Sequence, residues 1–201
     1  MPIRQRMHRS AALALGAALG LLAQASAACG LDDPSSLSLR RGGLNLAYPE
    51  SLHVGTAVWQ AQLSGRLPRD PLAQRAELSA LQRDQMRLMQ ATLSMRRLAA
   101  ALAKDARAEG RPPLAAVLVG PVLWTRIEPG MRAADAQVHA AGPETGDVVL
   151  VTEGAVVEAL VSGVIGVDEA MQLGLLRLYG PAAAASAALD GLRAALGASR
   201  T

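Results

Sequence analysis

Few residues in this chain have the chemistry to catalyse anything. The histidines are His8, His53 and His139, and the only cysteine is Cys29. A Cys–His nucleophile needs the two side chains within hydrogen-bond reach, and nothing in the local sequence brings any of these together. One cysteine without a ligand cluster gives no structural zinc spacing. His53 lies in a helix-like segment, where a lone histidine reads as a surface or half-buried residue rather than a ligand. Gly163 and Gly166 enclose too short a loop to cradle a phosphate, and no Walker, dinucleotide or G-x-S-x-G pattern occurs. Asp168 and Glu169 form an adjacent carboxylate pair. Neighbouring helix positions point in different directions, so the pair fits the favourable electrostatics of a helix start better than acid–base work. The residues therefore predict a non-enzymatic protein with no cofactor and no metal site.

The N-terminus carries a different kind of chemistry. Arg4, Arg6 and Arg9 precede the apolar run Ala11–Ala23, and Ala25-Ser26-Ala27 is an A-x-A cleavage pattern. This is the layout of an export signal over residues 1–27, and its apolar run is short for a membrane span. Cys29 follows directly. It fits the lipidated first residue of a bacterial lipoprotein, although Ser26 stands where such motifs usually carry leucine. It also fits a cysteine paired with another chain, or a free thiol near a chain end. The expected location is the bacterial periplasm, with membrane attachment only through Cys29. The signal holds three of the 20 basic residues and none of the 17 acidic ones, so the remainder is formally neutral. No nucleic-acid partner is expected of a neutral chain.

At 201 residues, 51% of them hydrophobic, the chain has material for one core. Aromatic residues make up 2% and phenylalanine is absent, so that core must be built from Leu, Val, Ala and Met. Residues 28–67 read as an N-terminal arm with one short helix. Leu37–Leu46 is interrupted by Arg40-Arg41-Gly42-Gly43 and predicts an extended segment. Tyr48-Pro49-Glu50 then opens a helix that carries Trp59 and closes at Gly65.

Residues 68–201 read as an α+β domain. Asp70 as cap and Pro71 in the first turn predict a long helix over 71–109, stopped by Gly110 and Pro112-Pro113. Leu81, Leu88, Met95 and Leu102 recur every seven residues along it. Such a helix either covers a sheet or projects beyond the domain to meet a partner. The apolar segment 114–127 contains Pro121, which argues against an unbroken central strand and predicts two short strands or an edge strand with a bulge. Ala133–Ala140 reads as a further strand.

The clearest punctuation lies in 146–195. Asp147–Val151 is a β-branched run. Thr152 reads as the cap of a helix ended by Gly163 and Gly166, with Glu153 in its first turn. Asp168 and Glu169 start a second helix, ended by Gly174. Leu175–Tyr179 is strand-like, and Gly180-Pro181 opens an Ala-rich last helix. In its strand DVVLVT, the helix with ALVSG, the DEAMQLG turn, the strand LLRLYG and the closing helix, this stretch resembles the second half of the sterol-carrier-protein family of lipid-binding domains.

The resemblance implies a small mixed or antiparallel sheet covered by helices and a tunnel between sheet and helices for an apolar, lipid-like ligand. By resemblance, the lining would be Val149, Val151, Val157, Leu160, Val161, Met171, Leu175 and Leu176, with Trp124 joining if its strand lies beside DVVLVT. Residues 114–146 are short for the family's early strands, and the 29–67 segment has no counterpart in it. Two functions follow as expectations. One is an exported envelope protein that binds a lipid-like ligand. The other is a periplasmic accessory subunit with a filled core, which binds another exported protein through the arm and the long helix.

Overall fold

Pro121 interrupts an apolar run, and proline cannot donate to a sheet ladder. The chain turns there. Strands β1 (Leu114–Leu118) and β2 (Leu123–Ile127) form an antiparallel hairpin with Pro121 in the connection. The structure, a computed structural model, describes residues 36–104 and 110–197. The expected signal, its cleavage site and Cys29 lie outside the described residues.

Ala133–Asp135 forms a 3-10 turn rather than the start of a strand, and β3 is reduced to Gln137–Val138. Strand β4 (Val148–Thr152) lies parallel to β1, and β5 (Arg177–Tyr179) is antiparallel to β4. The order is β3-β2-β1-β4-β5, a mixed five-stranded sheet in an α+β fold. The central strands β1 and β4 are buried along their whole length. Their sequences, LAAVL and VVLVT, are the continuous apolar runs that a strand covered on both faces requires.

Six helices surround the sheet: α1 (Ser36–Ala47), α2 (Ser51–Leu63), α3 (Ala80–Ala103), α4 (Gly154–Val161), α5 (Val167–Gln172) and α6 (Ala182–Gly197). Residues paired across the ladders share a face. Trp124, Val117, Val151 and Arg177 therefore lie on one side of the sheet, and Ile127, Leu114 and Val148 on the other. Tyr48, between α1 and α2, meets Trp124 with ring centroids 6.0 Å apart and Tyr179 edge-on at 5.0 Å. The first helix pair thus covers the Trp124 face. Leu102 of α3 and Leu192 of α6 meet Leu114 and Ile127 on the opposite face.

Two expectations are corrected here. The segment 37–46 is helical, not an extended arm, and α1 and α2 supply Leu44, Val54, Val58 and Ala61 to the same core as the sheet. Two glycines disfavour a helix locally, but tertiary packing outweighs propensity. The boundary expected near Leu67 therefore does not separate an arm from a domain, and buried Leu67 itself belongs to that core.

The long helix starts nine residues later than Pro71 and ends at Ala103. The Asp70 carboxylate accepts the Leu72 amide at 2.8 Å and pairs with Arg87 at 3.0 Å, which holds 70–79 in turns beside the helix. The real start is a capping box. The Ser79 hydroxyl accepts the Gln82 amide at 3.2 Å, and the Gln82 side chain accepts the Ser79 amide at 2.9 Å. A third difference is local. Thr152 is the last strand residue rather than a helix cap, and its hydroxyl donates to the Leu175 carbonyl at 3.1 Å.

Candidate functional site

The nine residues expected to line a tunnel are part of one packed core. Val149, Val151, Val157, Leu160, Leu175 and Leu176 are buried within it, and Trp124, Val161 and Met171 pack half-buried against it. Val149, Val151 and Trp124 do share a sheet face, separated by β1 rather than adjacent. That face is filled by Tyr48 and the inward side of α2.

A cleft does exist, on the opposite face and with other walls. It lies between the end of α3 (Leu102, Ala103), the strand ends at Leu114 and Ile127, the 128–131 turn and α6 at Leu192. Its volume is about 50 Å³. Small-molecule pockets usually measure roughly 300–1,000 Å³, so a sterol or acyl chain would have to push its walls apart. None of the nine residues touches it.

The most constrained polar site is the β1–β2 connection. Arg40 donates to the Val122 carbonyl at 2.7 Å, and Arg41 donates through Nε to the Gly120 carbonyl at 2.9 Å. The Glu153 carboxylate accepts from the Gly120 and Gly154 amides. A Cβ at position 120 would come within 3.2 Å of Glu153 Oε2, a tight fit that the carboxylate would have to yield to. Val122 has a φ of 49°, a strained conformation for a β-branched residue. Such strain persists only where the surroundings fix it, here from two arginines of α1 and a carboxylate. Burial pushes the Glu153 carboxyl from its ordinary 4.5 to about 7, against the opposing pull of the Gly120 amide, Arg41 and the Gly154 amide. A raised carboxyl marks many catalytic sites. This one faces backbone amides and a guanidinium whose bonds are spent on the hairpin, so its chemistry is that of a latch.

A second polar cluster joins β2 to β4. Arg126 reaches Asp147 at 3.1 Å, Glu128 at 2.5 Å and Glu144 at 3.4 Å. Asp147 also accepts the Glu144 amide at 2.8 Å. Its hydrogen bond to Asp147, the largest cause, holds the Arg126 guanidinium above its ordinary range. The cluster acts as a brace between β2 and the start of β4, with Glu128 and Glu144 at its solvent side.

Thr125 is different: its hydroxyl is fully buried and has no hydrogen-bond partner among the described residues. It does not border the cleft. An unpaired buried hydroxyl costs free energy. Thr125→Val is expected to raise stability by about 1 kcal/mol, measured as an increased urea midpoint. A large loss would show that the hydroxyl has a partner in solution.

His139 lies beside Thr92 at 3.4 Å, and His53 is exposed on α2. Among the described residues no group of three His, Cys, Asp or Glu side chains is placed to hold a metal.

What the sequence reading did not separate is the two halves of α3. Every buried residue of that helix lies between Ala91 and Ala99. The first three turns, Ala80–Gln90, contain none, yet Leu81 and Met89 are exposed, with Leu93 beyond them at one further turn. The signal for this division was Ser79-x-x-Gln82, which moves the helix start, together with the charged pair Arg83-Asp84 around an apolar stripe. The chain matches no protein-family model, no curated protein and no solved structure.

Proposed function

We propose that this protein is an exported, non-enzymatic accessory subunit of the bacterial envelope that binds another exported protein through the first half of α3. The observation that carries the reading is the exposed apolar stripe of Leu81, Met89 and Leu93 on a helix whose buried face begins only at Ala91. Residues eight and four apart lie on one side of a helix, so the stripe can enter an apolar groove or pair with a partner helix. The filled core supports the same reading, because the side chains that a carrier would line its tunnel with are occupied by one another.

The sterol-carrier-like reading is kept as the second. The sequence β4, α4, α5, β5, α6 follows the element order of that resemblance, and an apolar ligand could widen the small cleft at Leu114, Ile127 and Leu192.

The two separate experimentally. A photo-crosslinking amino acid at position 89 of the protein in cells is expected to give one defined heteroadduct, lost when Leu81→Asp is added. Absence of the adduct, with a lipid mass on the purified protein in native mass spectrometry, would overturn the accessory reading in favour of the carrier.

A further inference from the structure

The outward side of the first helix pair carries little charge: no Asp, Glu or Lys lies on either helix, and the basic groups are Arg40 and Arg41 on α1, the latter exposed, and exposed His53 on α2. Helix α2 contains no Asp, Glu, Lys or Arg in its 13 positions, and Leu52, Trp59 and Leu63 point outward along one stripe, flanked by exposed His53, Thr56 and Gln60. Helix α1 adds Leu39 and Leu46, and its two charged residues turn to the β1–β2 hairpin carbonyls. Trp59 is 60% exposed and Leu46 85%. A soluble surface helix normally carries charge on its outer face, and an outward row of large apolar side chains with few charges beside it suits a surface that is covered. Each of the five side chains is more than half exposed, and large exposed apolar side chains gathered on neighbouring helices mark interaction sites.

The chain itself indicates what covers this face. Six residues separate Cys29 from Ser36, the first residue of α1. Fully extended, that tether reaches at most about 25 Å at roughly 3.5 Å per residue. A lipid on Cys29 would therefore hold α1 within about the depth of a bilayer leaflet and its headgroups. One acyl chain anchors a protein only marginally, and a second membrane contact makes the attachment stable. Tryptophan is the side chain most at home at the headgroup boundary, since its ring is apolar and its N–H is polar.

We infer that the Leu39, Leu46, Leu52, Trp59 and Leu63 face of α1 and α2 rests on the surface of the membrane that Cys29 anchors the protein to. This rests on the proposed export and on lipidation of Cys29. The contact is apolar, so its strength does not depend on anionic lipid and changes little with salt, unlike binding by a basic patch. It turns the Trp124 side of the sheet toward the membrane and leaves the opposite side, which α3 and α6 cover, facing away.

The test uses the processed protein purified from cells. Intact mass first reads the state of Cys29. A lipidated protein is reconstituted into phosphatidylcholine vesicles with brominated acyl chains; a free thiol, the only one in the chain, is instead coupled to a maleimide lipid in the same vesicles. Bromine quenches tryptophan emission only near contact. Native protein is expected to lose a third or more of its emission. Trp59→Phe, at an exposed position that folding does not depend on, is expected to lose almost none, because Trp124 is packed against Tyr48. Quenching with an unlipidated Cys29 shows that the face can meet lipid once tethered but overturns the proposal, because no native anchor then holds it at a membrane. A lipidated Cys29 with equal quenching in native and Trp59→Phe protein overturns the docking face and leaves the lipoprotein reading standing. A stable dimer in vesicle-free solution, broken by Trp59→Ser, would also overturn it, since a second copy would then cover the face.

Discussion

Asp147→Ala is expected to lower folding stability by about 3 kcal/mol, the size seen when one member of a buried ion pair is removed. The Asp147 side chain is fully inaccessible, while the Arg126 side chain is 15% exposed. Removing the carboxylate leaves the guanidinium with Glu128 and Glu144, both more than half exposed and so weaker partners. It also strips the Glu144 amide of its acceptor and loosens the turn that delivers the chain into β4. The fold depends on that delivery, because β4 pairs with both β1 and β5. Asp147→Asn keeps an oxygen for the amide and loses only the charge, so about half the effect is expected. Urea unfolding of the three proteins at pH 7 measures this. A loss below about 1 kcal/mol for the alanine variant would mean that the pair is solvated and weak.

Stability is also expected to fall as pH rises from about 5 to 8, because of Glu153. Burial raises its folded-state carboxyl to about 7 from an ordinary 4.5, so the folded chain holds this proton more tightly than the unfolded chain does. The stabilisation from that proton is complete below the unfolded value and disappears as pH climbs through the folded one. A raised carboxyl has this sign; a salt-bridged, depressed one has the opposite sign. The full shift corresponds to about 3 kcal/mol, and the partial solvent access of the side chain reduces the expectation to about 1–2 kcal/mol. Glu153→Gln carries no titrating group, so its stability should lack this fall and exceed that of the native protein at pH 8. Urea midpoints at pH 5 and pH 8 for both proteins give the result. Parallel pH profiles would mean that the carboxyl ionises freely against the Gly120 and Gly154 amides.

Both predictions concern residues whose role was hidden in the linear chain. Arg126 and Asp147 are 21 positions apart, and they meet only because β2 and β4 flank β1. Glu153 looked like a helix-start acid stabilised by the helix dipole. It does sit at the start of α4, but the hairpin tip and Arg41 fold over it from segments 33 and 112 positions earlier. No local pattern records such neighbours.

The readings that survived are those with a local physical basis. A β-branched run bounded by Gly146 and the 152–154 turn makes β4 whatever surrounds it, and Gly180-Pro181 sets the entry to α6 just as locally. Pro121 forced the break that became the β1–β2 connection. These fixed the α+β class and a small sheet. The shorter α3 was legible too, since the Ser79–Gln82 capping box is a stronger start signal than Asp70-Pro71. It is overridden in a linear reading only because the apolar spacing continues on both sides.

By itself, then, the amino-acid sequence determined the runs that become β4 and β5, the break at Pro121 and most of the helices, because turn residues and apolar periodicity act over a few positions. Only the tertiary structure decided which apolar residues are core and which are surface. Val149, Val151 and Leu160 and, equally, Leu52, Trp59 and Met89 are apolar residues in regular spacing. The first three are buried because the sheet and helices close over them, and the last three are left outside because no other part of the described chain reaches their side. Burial is a property of long-range packing, so the division between a filled interior and a face that awaits a partner appears only once the chain has folded.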